Sequence, residues 1–178
     1  MSPPVLVRHL MTSPVVTFFA ESTLPLAEDV MRLHKFRHLP VIEPDGRLVG
    51  LVTHRDLMRG QISPLTGLSD EERRARHEEI KIRQLMTIDI WTTSPDALAS
   101  RAGLTLLDHR YGCLPVVDEH QILVGILTER DFLRFAVRTI EMHDPERLPL
   151  PRARTRTSSA SIRGCASPHT LDSVAELL

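Results

Sequence analysis

Hydrophobic and polar positions along this chain follow two rhythms in a fixed order. Residues 15–19 form a short apolar, β-branched run of the kind a buried strand uses. Ser22 or Thr23 can then cap a helix, because Leu26, Ala27, Val30, Met31 and His34 recur at helical spacing. Residues 39–42 and 48–52 return to strand-like runs, separated by Glu-Pro-Asp-Gly, which favours a tight hairpin. A second helix opens over 55–59. The same order, β-α-β-β-α, returns downstream over 90–92, 96–110, 114–117 and 123–127. Its first helix is predicted to be less regular, since Arg101 falls on the apolar stripe and Gly103 costs about 1 kcal/mol against Ala.

The repeated order is a duplication. Setting residue n against residue n+75 aligns 8–59 with 83–134 without a gap, and 17 of those 52 positions are identical. RHLMT (8–12) meets RQLMT (83–87), HLPVIE (38–43) meets CLPVVD (113–118), and LVGLVTHRDL (48–57) meets LVGILTERDF (123–132). Three strands and two helices leave one sheet face bare, whereas two copies can cover each other. The expected fold is therefore α+β, two β-α-β-β-α repeats packed sheet to sheet about an approximate two-fold axis. The expected division is a first repeat over 1–60, a connector over 61–81, a second repeat over 82–140 and a tail over 141–178. In the connector, Ser69-Asp-Glu-Glu72 is a capping box that opens a charged, solvated helix anchored by Ile80 and Ile82. The tail begins as a Pro- and Arg-rich linker. It ends as a short amphipathic helix over 167–178, with Leu171, Val174 and Leu178 on one face.

Composition removes several classes of function. With 22 basic and 23 acidic side chains the formal charge is −1, so the concentrated basic face of a nucleic-acid binder is not expected. No apolar run approaches the roughly 20 residues of a membrane span, and the N-terminal stretch lacks the pattern of a signal peptide. A cytoplasmic location follows as the expectation, with Cys113 and Cys165 as free thiols. No serine-histidine-acid order, paired catalytic carboxylates or phosphate-cradling glycine loop is present, so neither an enzyme nor a cofactor is expected. His34 and His38 have the spacing of metal ligands, but His38 belongs to the next strand and no third ligand is evident.

The chemistry concentrates in one motif that stands twice, Gly50-Leu-Val-Thr53-His-Arg-Asp56 and Gly125-Ile-Leu-Thr128-Glu-Arg-Asp131. An ionised aspartate is acceptor-only and can take both hydroxyls of a ribose diol, through charge-assisted bonds. The threonine hydroxyl can bond ribose or an α-phosphate, and the helix's first N–H groups with Arg55 or Arg130 favour an anion. The competing reading is capping alone, with Thr53 and Thr128 as N-caps and the aspartates as first-turn acids.

On these motifs, each preceded by a Leu-Pro-Val strand, residues from about 5 to 140 resemble a stand-alone tandem pair of the CBS-domain family, a Bateman module. The resemblance implies a regulatory module that senses an adenosine-containing ligand: AMP, ADP or ATP first, then S-adenosylmethionine, NAD(H) or a cyclic dinucleotide. It implies two clefts, in which one repeat's aspartate motif meets the other's first strand and Leu-Pro-Val approach. The first would combine Thr53, Arg55 and Asp56 with Ile90, Trp91, Cys113 and Pro115. The second would combine Thr128, Arg130 and Asp131 with Val15, Val16, Arg37, His38 and Pro40, with Arg37 near the junction and able to serve a phosphate in either site. Arg37 and His38 are the polar counterparts of Gly112 and Cys113, so the second site is expected to hold a phosphorylated ligand more tightly. Trp91 is expected to serve sheet packing and Cys113 to be a small buried side chain. The resemblance also implies a homodimer, through Leu57, Met58, Phe132, Leu133, Phe135 and Ala136, and an effector protein that the sequence does not identify. A ligand-free dimerisation or adaptor module is the alternative from another class.

Overall fold

The structure, a computed structural model, describes residues 3–61 and 67–142. The helix expected over 167–178 and the tail from 143 onward lie outside the described residues. In the first repeat β1 (Phe18–Phe19) runs parallel to β2 (His38–Ile42), which pairs antiparallel with β3 (Leu48–Thr53). α1 (Leu24–His34) joins the first two strands and α2 (His54–Gly60) follows the third. α3 (Asp70–Glu79) is the connector helix, and its capping box forms as the sequence predicts: Glu72 N donates to Ser69 Oγ at 3.2 Å, and Ser69 N to Glu72 Oε2 at 2.8 Å. The second repeat contains α4 (Ala99–His109), β4 (Cys113–Val117), β5 (Leu123–Thr128) and α5 (Glu129–Glu141). Where β1 stands in the first repeat, the second has a single parallel bridge between Thr93 and Val116.

The first strands are shorter than the apolar runs suggest, and proline explains it. Phe18 lies opposite Val41, so one step upstream the partner is Pro40, which has no N–H to extend the ladder. Pro115 stands at the equivalent step beside Thr93–Val116. The helices also differ from their expected stripes. α1 buries Leu24, Ala27 and Met31, while Leu26 and His34 face outward. α4 begins at Ala99 and buries Ala99, Ala102 and Leu106, which leaves Arg101 exposed rather than on the stripe. Gly103 has a packing reason: a Cβ there would lie 3.1 Å from the Phe132 ring, so its absence lets α5 close on α4.

The core is built by exchange between repeats. Val7 stands at the start of the first repeat, yet it is buried among Ala102, Leu106, Leu114, Val116 and Leu127 of the second, with Leu10 and Met11 beside it. Ile82 opens the second repeat and is buried with Leu24, Met31, Leu39 and Val52 of the first, flanked by Ile80, Leu85 and Met86. Backbone bonds follow the same crossing. Thr12 N donates to Ile126 O (2.9 Å) and Ile126 N to Thr12 O (3.1 Å), while Leu51 N donates to Thr87 O (3.0 Å) and Thr87 N to Leu51 O (2.9 Å). Each Arg-x-Leu-Met-Thr block thus completes the opposite repeat's sheet and core.

Gly50 and Gly125 permit that approach, since a Cβ would meet Met86 Sδ at 2.8 Å in one case and Met11 Sδ at 2.6 Å in the other. The hairpin ends are tied reciprocally as well, Leu48 N to Gln121 O and Leu123 N to Gly46 O, both at 3.1 Å. Contacts exchanged residue for residue at an offset of 75 are what a two-fold relation between the repeats produces.

Candidate ligand-binding cleft

A cleft of about 1100 Å³ opens between the repeats. One wall is the end of α1 and the segment leading into β2, from Arg32 to His38. The floor is the turn from β3 into α2, and the far wall comprises Thr87, Asp89, Ile90, Trp91, residues 110–113 and Glu129.

At the floor the two readings of the motif turn out to be compatible. Thr53 caps α2: Asp56 N donates to Thr53 Oγ1 at 3.3 Å, while Asp56 Oδ2 accepts from Thr53 N (2.9 Å) and Thr53 Oγ1 (2.5 Å). That consumes one carboxylate oxygen. Asp56 Oδ1 has only the Arg59 guanidinium, at 3.9 Å, and no hydrogen bond among the described residues. Asp56 lies just behind the wall, between the lining residues Arg55 and Leu57, with 16% of its side chain exposed.

The cleft carries charge of both signs, and of its acids Asp89 and Glu129 form no ion pair among the described residues. Asp29 is tied to Arg32 at 2.6 Å and Glu28 accepts from Gln61 at 2.6 Å. Lys35, Arg37, Arg55 and Arg110 also line the cleft, and none of them takes part in an ion pair among the described residues. Lys35 and Arg110 end α1 and α4 in left-handed conformation, φ 56° and 55°, where glycine or asparagine is usual. The same costly backbone carries a long cation to the same cleft from each repeat. Sequence reasoning passed over both, although each is basic, follows its helix directly and lies 75 residues from the other.

Of the first expected set, Thr53, Arg55, Ile90, Trp91 and Cys113 line the cleft. Pro115 does not: it is buried in β4 and its carbonyl accepts from Thr93 N at 3.0 Å. Of the second set, Arg37 and His38 are found here instead, with Thr53 and Arg55. β2 pairs His38 with Thr53, and the imidazole lies over Gly112, where a Cβ would be 2.5 Å from Nε2. Gly112 is therefore the space that His38 fills. Val15, Val16, Pro40, Thr128, Arg130 and Asp131 lie outside this cleft.

Burial holds the His38 imidazole below its ordinary value; Glu129 opposes that, Arg37 adds to it, and Asp56 again opposes it. Burial also pushes the Cys113 thiol up to about 12, which suits a small packed side chain and not a nucleophile. Trp91 is not sheet packing: it is 56% exposed, with its ring 5.1 Å from His109, which stacks in turn on Tyr111 at 5.3 Å. Nor do His34 and His38 converge; His34 is exposed and stacks on Phe36 at 5.4 Å. Among the described residues no group of three or more His, Cys, Asp or Glu side chains is placed to hold a metal. None of the described helices is long and apolar enough to cross a membrane.

Two of the side chains expected at a dimer contact are committed to the core: Leu57 is buried in the first repeat, and Phe132 packs in the second. Met58, Leu133, Phe135 and Ala136 are exposed.

Comparison with known proteins shows the family and the fold. The sequence model for the CBS domain matches residues 7–63 and 82–138. A CBS domain-containing protein of Dictyostelium discoideum is 28% identical over 142 residues, 80% of this chain and 98% of its own length. The Vibrio cholerae protein AcuB superposes with a TM-score of 0.67 at 27% identity, covering 82% of this chain and all of its own. CBSX2 of Arabidopsis thaliana, solved in complex with AMP, gives a TM-score of 0.64 at 25% identity over 76% of this chain and 98% of its own. Matches to longer enzymes are partial: the chain spans 22% of the homoserine O-acetyltransferase of Methanohalophilus mahii.

Proposed function

The chain belongs to the CBS-domain family, and from that premise we propose that it is a non-catalytic regulatory module sensing a phosphorylated adenosine nucleotide in the cleft beside Thr53 and Arg55. The observation that carries this reading is the set of four cations, Lys35, Arg37, Arg55 and Arg110, which line one cleft from both repeats beside Asp89 and Glu129 and form no ion pair among the described residues. Phosphate oxygens would satisfy them through charge-assisted bonds. Asp56 Oδ1, free of hydrogen bonds, would take a ribose hydroxyl with Thr53 beside it, and Ile90 and Trp91 would flank the base. AMP in a relative of the same fold supports the adenosine part.

A nucleotide so held bridges the end of α1 to residues 110–113 and would fix the angle between the repeats. That angle would be the signal passed to an effector protein, in the cytoplasm and without a cofactor. ATP and ADP should bind more tightly than AMP, and S-adenosylmethionine least, because its sulfonium would face Lys35, Arg37, Arg55 and Arg110 where they would otherwise meet phosphate.

Thermal denaturation with an adenine-nucleotide panel tests this. A ligand at a hundredfold excess over its Kd stabilises the folded state by about 2.7 kcal/mol. At roughly 2–4 °C per kcal/mol, ATP should raise the melting temperature by about 5–10 °C, and Arg37→Ala with Arg55→Ala should remove the shift. No shift with any adenine nucleotide at millimolar concentration would leave the adaptor reading standing. One observation favours pairing under either reading: Leu133, Val137 and Ile140 form an exposed apolar row along α5 at helical spacing. We infer that two copies pair through it, and light scattering showing a 20.1 kDa particle at micromolar concentration would overturn that.

A further inference from the structure

The two motifs match in their glycine, threonine, arginine and aspartate, yet their aspartates are engaged differently. Asp131 is 5% exposed. Its Oδ2 accepts from Thr128 N at 2.8 Å and Thr128 Oγ1 at 2.6 Å, as in the first motif. Its Oδ1 is also taken, by Thr12 Oγ1 at 3.4 Å and by Arg134 Nη1 at 3.4 Å. Thr12 belongs to the leading block that crosses onto the second repeat, and its backbone is paired with Ile126. Thr87, the counterpart of Thr12, makes no such bond to Asp56 and lines the open cleft.

We infer that Asp131 is a positioning residue, a latch that holds the leading segment 5–12 against β5 and α5, and that the chain takes one nucleotide, at the first motif. The count of one rests on the nucleotide reading above; the latch does not. A ribose diol at Asp131 would have to replace Thr12 and Arg134, exchanging internal bonds for ligand bonds with little net gain and releasing a packed segment. At Asp56 the same diol adds bonds to an oxygen that has none.

Calorimetric titration with ATP and hydrogen exchange on the full chain test this together. The wild type should bind one ATP per chain. Arg55→Ala should weaken binding at least tenfold with unchanged exchange in segment 5–12. Asp131→Asn should leave the Kd within about threefold while exchange in that segment rises at least tenfold. Thr12→Val, which leaves the carboxylate in place, should raise exchange the same way and serves if the aspartate variant does not fold. Two ATP per chain, a tenfold weaker Kd in Asp131→Asn, or undisturbed exchange in Thr12→Val would each overturn the inference. Were ATP not to bind at all, the nucleotide reading would fail, and the exchange of Thr12→Val would still decide the latch.

Discussion

Gly50 and Gly125 occupy equivalent places in the two sheets, yet alanine should be tolerated at one and not at the other. The three atoms nearest a Cβ at Gly125 all belong to the Met11 side chain: Sδ at 2.6 Å, Cγ at 3.2 Å and Cε at 3.4 Å. An unbranched thioether can swing aside. At Gly50 a Cβ would meet Met86 Sδ at 2.8 Å and also Thr87 O at 3.1 Å. That carbonyl accepts from Leu51 N at 3.0 Å, so moving it strains a sheet bond between the repeats. Overpacking of this kind costs about 1–3 kcal/mol. Neither glycine has a positive φ, so the entropy alanine removes from the unfolded chain offsets about 0.4–1 kcal/mol at both. Gly50→Ala should therefore cost about 2 kcal/mol and Gly125→Ala less than about 1 kcal/mol, measured by urea unfolding. In melting temperature the losses are about 4–8 °C and under about 4 °C. In double-mutant cycles, Met11→Ala should cancel the Gly125→Ala penalty, while Met86→Ala should cancel only part of that at Gly50, because the carbonyl stays. Equal penalties at the two glycines, or complete rescue by Met86→Ala, would refute the argument.

Trp91 is the chain's single tryptophan, so ATP should change its emission directly. Trp91→Ala should weaken ATP by roughly 5- to 100-fold if the base stacks there, and an unchanged Kd would exclude stacking. In a Cys165→Ser background the Cys113 thiol, at about 12, should react with a disulfide reagent at pH 8 about a thousandfold more slowly than an ordinary cysteine, with native-state labelling at normal speed as the contrary result. His38 is held below its ordinary 6.5, so below that pH the unfolded chain binds a proton that the folded chain resists. The stability that its neutral form contributes is complete above about pH 6.5 and is lost as pH falls from there through the depressed folded value. Urea midpoints between pH 7 and pH 5 should therefore fall further for wild type than for His38→Gln, and parallel curves would contradict this.

The hairpins, the helix order and the threonine caps were legible because they are local: Leu-Pro-Val, Gly-x-x-Thr-x-x-Asp and Ser69–Glu72 each fix their own conformation. The 75-residue register placed them in both halves. The destination of Arg8–Thr12 and Arg83–Thr87 was not legible. An alignment sets each block beside its own repeat, whereas Val7 and Ile82 are buried in the other one. That Arg37 and His38 line the first cleft was not legible for a related reason, since which cleft receives a strand-entry side chain depends on how the sheets cross. Periodicity marked Leu26 as core, but the face of α1 that meets the sheet is set by Leu24 and Met31. The spare oxygen on Asp56 and the filled one on Asp131 differ only through Thr12 and Arg134, a distinction that identical motifs conceal.

The exchange of leading segments also governs how the chain comes apart. Neither repeat can lose its structure while the other keeps its own, because removing Val7 uncovers the second core and removing Ile82 uncovers the first. Heat should accordingly be absorbed in one calorimetric peak with matching van't Hoff and calorimetric enthalpies, in spite of the duplicated sequence. A half cut out at the sequence repeat's own boundaries would carry the wrong Leu-Met-Thr block for its core. A piece from one half would find its natural complement in a piece from the other, so mixed halves should assemble where single halves stay unfolded.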